Sequence, residues 1–140
     1  MTHLTHAIRH APAFHDLDPL GIVWHGHYPK FLELVRCALL QQYHYDYPEM
    51  KESGWAWPIV DMRLKYVRPL RYAQNLELRA TIVEYEHRLK IDYVISDVDT
   101  GEVCTRAHTI QVAVDMATGA MSLSTPPVLA ERLGFVGDPP

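Results

Sequence analysis

The stretch FHDLDPLGIVWHGHY, residues 14–28, runs through Pro29 into KFLELVRCALLQQY, residues 30–43, and the fold follows from reading the two together. The first part gathers two carboxylates, three histidines and two glycines into fifteen residues. Asp18-Pro19 and Gly21 are turn signals, so it reads as a loop. The run Ile22-Val23-Trp24 is too short for an element of its own and plugs that loop onto the core. The second part carries the strongest helical pattern in the chain. Pro29 suits a first helical turn, where its missing N–H costs nothing. Phe31, Leu34, Val35, Ala38 and Gln42 follow the i, i+3, i+4, i+7 rule, with Leu32, Leu39 and Tyr43 as a second row. Lys30, Glu33, Arg36 and Gln41 leave only a narrow polar stripe. A helix this apolar must be covered on most sides. The spacing predicts a central helix over 28–44, with Pro48 ending any continuation.

On either side the pattern has the period of strands. Residues 4–14 loosely alternate and suit a first strand, demoted to an edge by Pro12. Residues 45–57 read as a loop or short helical excursion, with Trp55 and Trp57 packing on the core. Alternation predicts strands over 59–67, 75–85, 88–97 and 103–114. In the first of these Val60, Met62, Leu64 and Tyr66 share one face, and Asp61, Arg63 and Lys65 the other. Asp99-Thr100-Gly101 is a hairpin turn, and a short helix over 128–133 is capped by Gly134. One helix followed by strands in hairpin succession implies an α+β fold, a curved antiparallel sheet of five or six strands wrapped around the helix. Its edges need cover, which favours a homo-oligomer. The 140 residues suit a single domain over 1–136 with a disordered tail at 137–140.

The composition, 48% hydrophobic and 21% charged, is that of a folded globular chain. A net charge of −4 argues against nucleic acid as the main partner. Residues 61–90 nevertheless hold seven bases against four acids, a local surface suited to a phosphorylated ligand. Cys37 and Cys104 lie far apart and read as small core residues in a reducing compartment. No signal peptide and no membrane span are legible, so a cytoplasmic location is expected.

The run DLDPLGIVWHGHYPKFLE is similar to the signature of hot-dog-fold acyl-CoA thioesterases of the 4-hydroxybenzoyl-CoA thioesterase type. The matching positions are Asp18, Pro19, Gly21, Ile22, Val23, Trp24, Tyr28 and Glu33. The resemblance continues at Tyr66-Val67-Arg68-Pro69 and at QVAVDMATG, residues 111–119. It departs at Gln74, where the family commonly has an Asp, so a capping contact is lost. His25 matches the histidine-bearing members, including short-chain acyl-CoA thioesterases, where the hydroxybenzoyl-specific type has a Tyr. The resemblance implies paired dimers, often tetramers, with active sites between subunits. It implies hydrolysis of an acyl-CoA or acyl-carrier-protein thioester with no metal or redox cofactor.

Such hydrolysis needs a nucleophile or base and a way to polarise the carbonyl. Asp18 is the candidate for the first, by attacking the carbonyl or by activating a water. Its bland alternative is a turn residue before Pro19. The resemblance places a backbone N–H at His25, near the start of the helix, opposite the thioester oxygen. The His25 ring is a further candidate to hold Asp18 or a water, or to assist the leaving thiolate. His15 lines the pocket or an edge. Asp16 reads as a solvated or capping carboxylate, Tyr28 as a hydrogen-bonding group in the site, and Glu33 as a salt-bridge partner of Arg36 or Lys30. Val60, Arg68, Arg88 and Lys90 complete the expected substrate-binding set, the bases by holding phosphates. Trp24, Trp55, Trp57 and Tyr66 hint at a bulky acyl pocket. A metal is not expected, because His25-Gly26-His27 precedes a helix and not a strand on which alternate residues share a face. The competing reading is a non-catalytic acyl-thioester-binding module on the same fold.

Overall fold

The computed structural model describes residues 4–134. The elements are β1 (Thr5–His10), α1 (Tyr28–Gln41), α2 (Tyr47–Glu52), β2 (Trp55–Ala56), β3 (Ile59–Tyr66), β4 (Leu76–Glu84), β5 (Leu89–Asp97), β6 (Val103–Gln111), β7 (Val114–Asp115) and α3 (Pro127–Arg132). Single 3-10 turns lie at Phe14–Asp16 and His25–His27. This is the expected α+β arrangement, and the tail at 137–140 falls outside the described residues.

The five-stranded sheet has the order β1-β4-β5-β6-β3, and every pair described is antiparallel. The hairpin succession holds only from β4 to β6. β3 pairs with β6 and not with β4. The connection at 67–75 carries the chain across the end of the sheet, because two contacts pin it there. The N–H groups of Val67 and Arg68 both donate to the Cys104 carbonyl, and the fully buried Leu70 accepts from Val23 N–H at 2.8 Å.

The helix α1 buries Phe31, Leu32, Val35, Leu39 and Leu40, and it packs on β1 and β4. Facing it, Leu76, Leu78, Ala80 and Ile82 of β4 and Leu89, Ile91, Tyr93 and Ile95 of β5 are buried, every second residue as the pleat requires. Two expectations for the helix change. It ends at Gln41 and not at 44, and Pro48 is not what stops it. His44, with φ +54°, turns the chain into the left-handed region, and Tyr45 N–H returns to the Leu40 carbonyl at 3.1 Å. Pro48 instead sits in the first turn of α2, behind the N-cap Asp46, whose N–H is taken by the Glu49 carboxylate. Arg36 is not on a polar stripe: it is 4% exposed and turned into the core.

Two strands also depart from simple alternation. β3 has a register shift between Ile59 and Asp61, which leaves Val60 as the extra, 56% exposed residue. The strand expected over 103–114 breaks after Gln111, whose side-chain amide donates to the Trp57 carbonyl at 2.8 Å. The chain then pairs as β7 with β2 in a separate two-stranded sheet.

Candidate functional site

The loop between the two 3-10 turns is a closed hairpin of its own. Leu17 and Val23 form an antiparallel bridge, and Asp18 N–H donates to the Ile22 carbonyl at 2.8 Å. At the tip, Gly21 N–H returns to the Asp18 carbonyl at 2.9 Å, with Gly21 at φ +78°, a conformation that suits glycine. The Asp18 carboxylate is half-buried, and its Oδ1 accepts Leu20 N–H at 2.8 Å. Asp18 is thus a turn former through Oδ1.

Asp16 closes the base of the hairpin. It is 4% exposed, so it is a capping carboxylate and not a solvated one. Its Oδ2 accepts Ala13 N–H at 2.9 Å, and its carbonyl accepts Trp24 N–H at 3.0 Å. Lys30 Nζ and His15 Nε2 stand 3.6 and 3.9 Å from Oδ1. Burial pushes this carboxyl upward, but the Ala13 N–H, Lys30 and the histidines outweigh it, and it sits below its ordinary range. With Lys30 engaged here and Arg36 buried, the salt bridge expected of Glu33 is not among the ion pairs of the described residues.

The hairpin leads into α1 through His25–His27. The His25 and Gly26 N–H groups open this turn ahead of its first internal bond, His27 N–H to the Trp24 carbonyl at 3.0 Å. The rings of His25 and His27 each lie 5.2 Å from the Trp24 indole. Tyr28 is buried, its ring 4.6 Å from that of Tyr66. Burial pushes its phenol up, opposed by the backbone of Leu70. The Tyr66 hydroxyl donates to the His25 carbonyl at 2.8 Å. The sequence put Tyr66 on a strand, in the Tyr-Val-Arg-Pro match and in a bulky acyl pocket, but no local signal links it to a residue 41 positions away.

The remaining residues divide between the two ends of the sheet. Arg68 is at the Asp18 end, paired with Glu102 at 2.9 Å, beside a cleft of about 460 Å³ that includes Arg71, Tyr72 and Gln74. The capping contact expected to be lost at Gln74 is kept, since its amide oxygen accepts Arg71 N–H at 2.9 Å. His15 is exposed at the mouth of a groove of about 670 Å³ lined by Phe31, Leu34 and Cys37 of α1. Val60, Arg88 and Lys90 are at the other end, where Ile59 and Leu89 both pair with Gln111. Arg88 is paired with Glu84 at 3.0 Å. Along β4, from Leu76 to Glu84, the two ends are about 26 Å apart at ~3.3 Å per residue. The four aromatics do not form one pocket: Trp57 is buried and donates to the Tyr45 hydroxyl, Trp55 is on β2, and only Trp24 and Tyr66 stand at the start of α1. Among the described residues no group of three or more His, Cys, Asp and Glu is placed to hold a metal.

This loop and helix lie within residues 12–133, which match the family model described as the Thioesterase-like superfamily. The chain belongs to that superfamily. It is 32% identical over 120 residues to a Synechocystis protein that bears an esterase name, sll0410, covering 85% of this chain and 72% of the relative. It is 29% identical over 101 residues to a Bacillus subtilis protein that bears an acyl-CoA thioesterase name, YneP, covering 71% and 72%. The structure of Slr0204, a 1,4-dihydroxy-2-naphthoyl-CoA thioesterase from Synechocystis, superimposes with a TM-score of 0.82 at 20% identity, covering 92% of this chain and 95% of that one. The superfamily member thus has the hot-dog fold its sequence implied.

Proposed function

We propose that this superfamily member is a thioester hydrolase that cleaves an acyl-CoA, or an acyl-carrier-protein thioester, to a free acid and a thiol. The observation that carries the reading is the Asp18 hairpin, which holds a half-buried carboxylate and runs directly into the N-terminus of α1. The names of the Synechocystis and Bacillus relatives support the same chemistry.

Asp18 acts in one of two ways. As nucleophile, its free oxygen adds to the thioester carbonyl, the C–S bond breaks, and the thiolate leaves and takes up a proton; water then hydrolyses the mixed anhydride and regenerates the carboxylate. As base, it takes a proton from a water whose oxygen adds to the carbonyl, and the proton passes to the departing sulfur. In both, the carbonyl oxygen gains negative charge opposite the backbone N–H of His25, such a donor being worth about 3 kcal/mol in the transition state. No cofactor takes part.

The working unit is a homodimer or homotetramer with sites between subunits. β3 is an edge strand, with one side of its backbone unpaired among the described residues. Two β3 edges paired antiparallel would bring the Val60, Arg88 and Lys90 end of one subunit to the Asp18 end of the other. A cytoplasmic setting accords with the two free cysteines.

A panel of acyl thioesters with a thiol-detecting dye tests the proposal. The wild type should turn over at least one class, and Asp18→Asn should lose on the order of 100-fold or more in kcat. If both are inert on thioesters that the protein nonetheless binds, it is a binding module and the proposal fails.

A further inference from the structure

His25 opens the 3-10 turn that precedes α1. Its carbonyl accepts the Tyr66 hydroxyl at 2.8 Å, a bond that ties the end of β3 to this turn. The phenol is itself held in place. Tyr66 ends β3, and its ring meets that of Tyr28 edge-on at 67°.

A trans peptide is planar, so its C=O and N–H point in opposite directions. The hydroxyl that grips the His25 carbonyl therefore also sets the direction of the Gly26 N–H. On the other flank the Trp24 indole covers Gly26, so closely that a Cβ there would collide with the ring. The peptide between His25 and Gly26 is braced from two sides by groups distant from each other in sequence.

We propose that Tyr66 is a positioning residue for the hydrolysis, aiming the Gly26 N–H at the thioester oxygen and strengthening it as a donor. This rests on the hydrolytic reading above. The strengthening follows from polarisation, since a carbonyl that accepts a hydrogen bond makes the N–H of the same amide a better donor. A phenol is protonated at neutral pH, so Tyr66 is an O–H donor there. The Gly26 N–H then joins that of His25 as a second oxyanion donor.

Tyr66→Phe keeps the ring contact with Tyr28 and removes only the hydroxyl. It should lower kcat on the order of 10-fold, with KM changed less than about twofold. A KM that rises with kcat unchanged would overturn the proposal. Fluorotyrosine at position 66 is a stronger donor of nearly the same shape and should restore kcat to the wild-type level or above; a value at the Phe level would also overturn it. The amide of Gly26 gives a readout independent of turnover. In isotope-labelled Tyr66→Phe its proton resonance should shift and its exchange with solvent quicken, and an unchanged amide refutes the brace. If the wild type cleaves no thioester while that amide still responds, the hydrolytic reading falls and the brace stands.

Discussion

Arg36 donates to the hydroxyl of Tyr93 at 3.3 Å, from α1 to β5 through the middle of the core. Its second partner is the Tyr47 hydroxyl at 3.1 Å, and Tyr93 in turn shares a 2.7 Å bond with Thr109. The Arg36 Nε has no partner among the described residues. A cation buried among phenols gains little Coulomb energy and bears its full desolvation cost. Arg36→Met should therefore be neutral or stabilising, within about 1 kcal/mol, because it removes charge and unmet donor together. Tyr93→Phe should cost about 2–3 kcal/mol, because it leaves the buried cation in place without one of its two phenol acceptors. Urea midpoints of the two variants check the order, and a destabilised Arg36→Met beside a neutral Tyr93→Phe would contradict it.

The Asp16 carboxylate predicts a pH dependence. Its folded pKa lies below the ordinary value because the Ala13 N–H, Lys30 and the histidines outweigh burial. Its contribution is therefore fully present above the unfolded pKa and is lost as pH falls through the folded one. Asp16→Asn should lower stability by about 1 kcal/mol at neutral pH, the scale of a lost cap. The gap to wild type should close as the pH drops below ~4. Thermal melts of both proteins across that range measure it.

Among the described residues two positions hold a non-glycine residue at positive φ, His44 at +54° and Ala73 at +58°. A left-handed conformation costs an L-residue roughly 1–2 kcal/mol, and part of that gain is offset by the greater freedom of glycine in the unfolded chain. Each substitution, His44→Gly and Ala73→Gly, should raise stability by about 0.5–1 kcal/mol. Denaturant midpoints at unchanged m-value would show it.

Cys37 should be a slow nucleophile. Burial, and then the neighbouring Asp46 carboxylate, push its thiol up to about 11. Cys104 is also raised, chiefly by burial. Alkylation of Cys37 at neutral pH should run well below the rate of a free thiol and climb as pH approaches 11. Asp46→Asn should speed it, and a wild-type rate equal to that of a free thiol would contradict the assignment.

The division of residues between sheet ends predicts complementation. Asp18→Asn and the double variant Arg88→Ala, Lys90→Ala should each be impaired alone. The double variant should show a raised KM for CoA thioesters and a normal one for thioesters without phosphates. Mixed dimers of the two chains should regain activity, because one of their two sites has both wild-type halves. Mixed samples no more active than the sum of the parts would place each site within one chain.

Much of this protein is a matter of local order. The amphipathic repeat of α1, the alternation in β4 and β5 and the turn at Asp18-Pro19-Gly21 depend on neighbours a few residues away. They are readable because helix and strand periods and turn preferences act over that range. The α+β class followed, and so did the loop that positions Asp18 and His25. The hydrogen bond from Leu20 N–H to the Asp18 carboxylate is of the same local kind.

What spacing does not encode is which distant groups meet. The placement of β3 beside β6, the contact of Arg36 with Tyr93 and the grip of Tyr66 on the His25 carbonyl each join residues about forty or more apart. Charge alone suggested a solvent-facing stripe for Arg36, yet two phenols from separate elements made burial tolerable. Period and turn chemistry thus determined the elements and the reactive loop. Tertiary packing decided the strand order, the core cation and the brace at the head of α1, because the desolvation and hydrogen-bond energies behind those choices exist only once the chain has closed on itself.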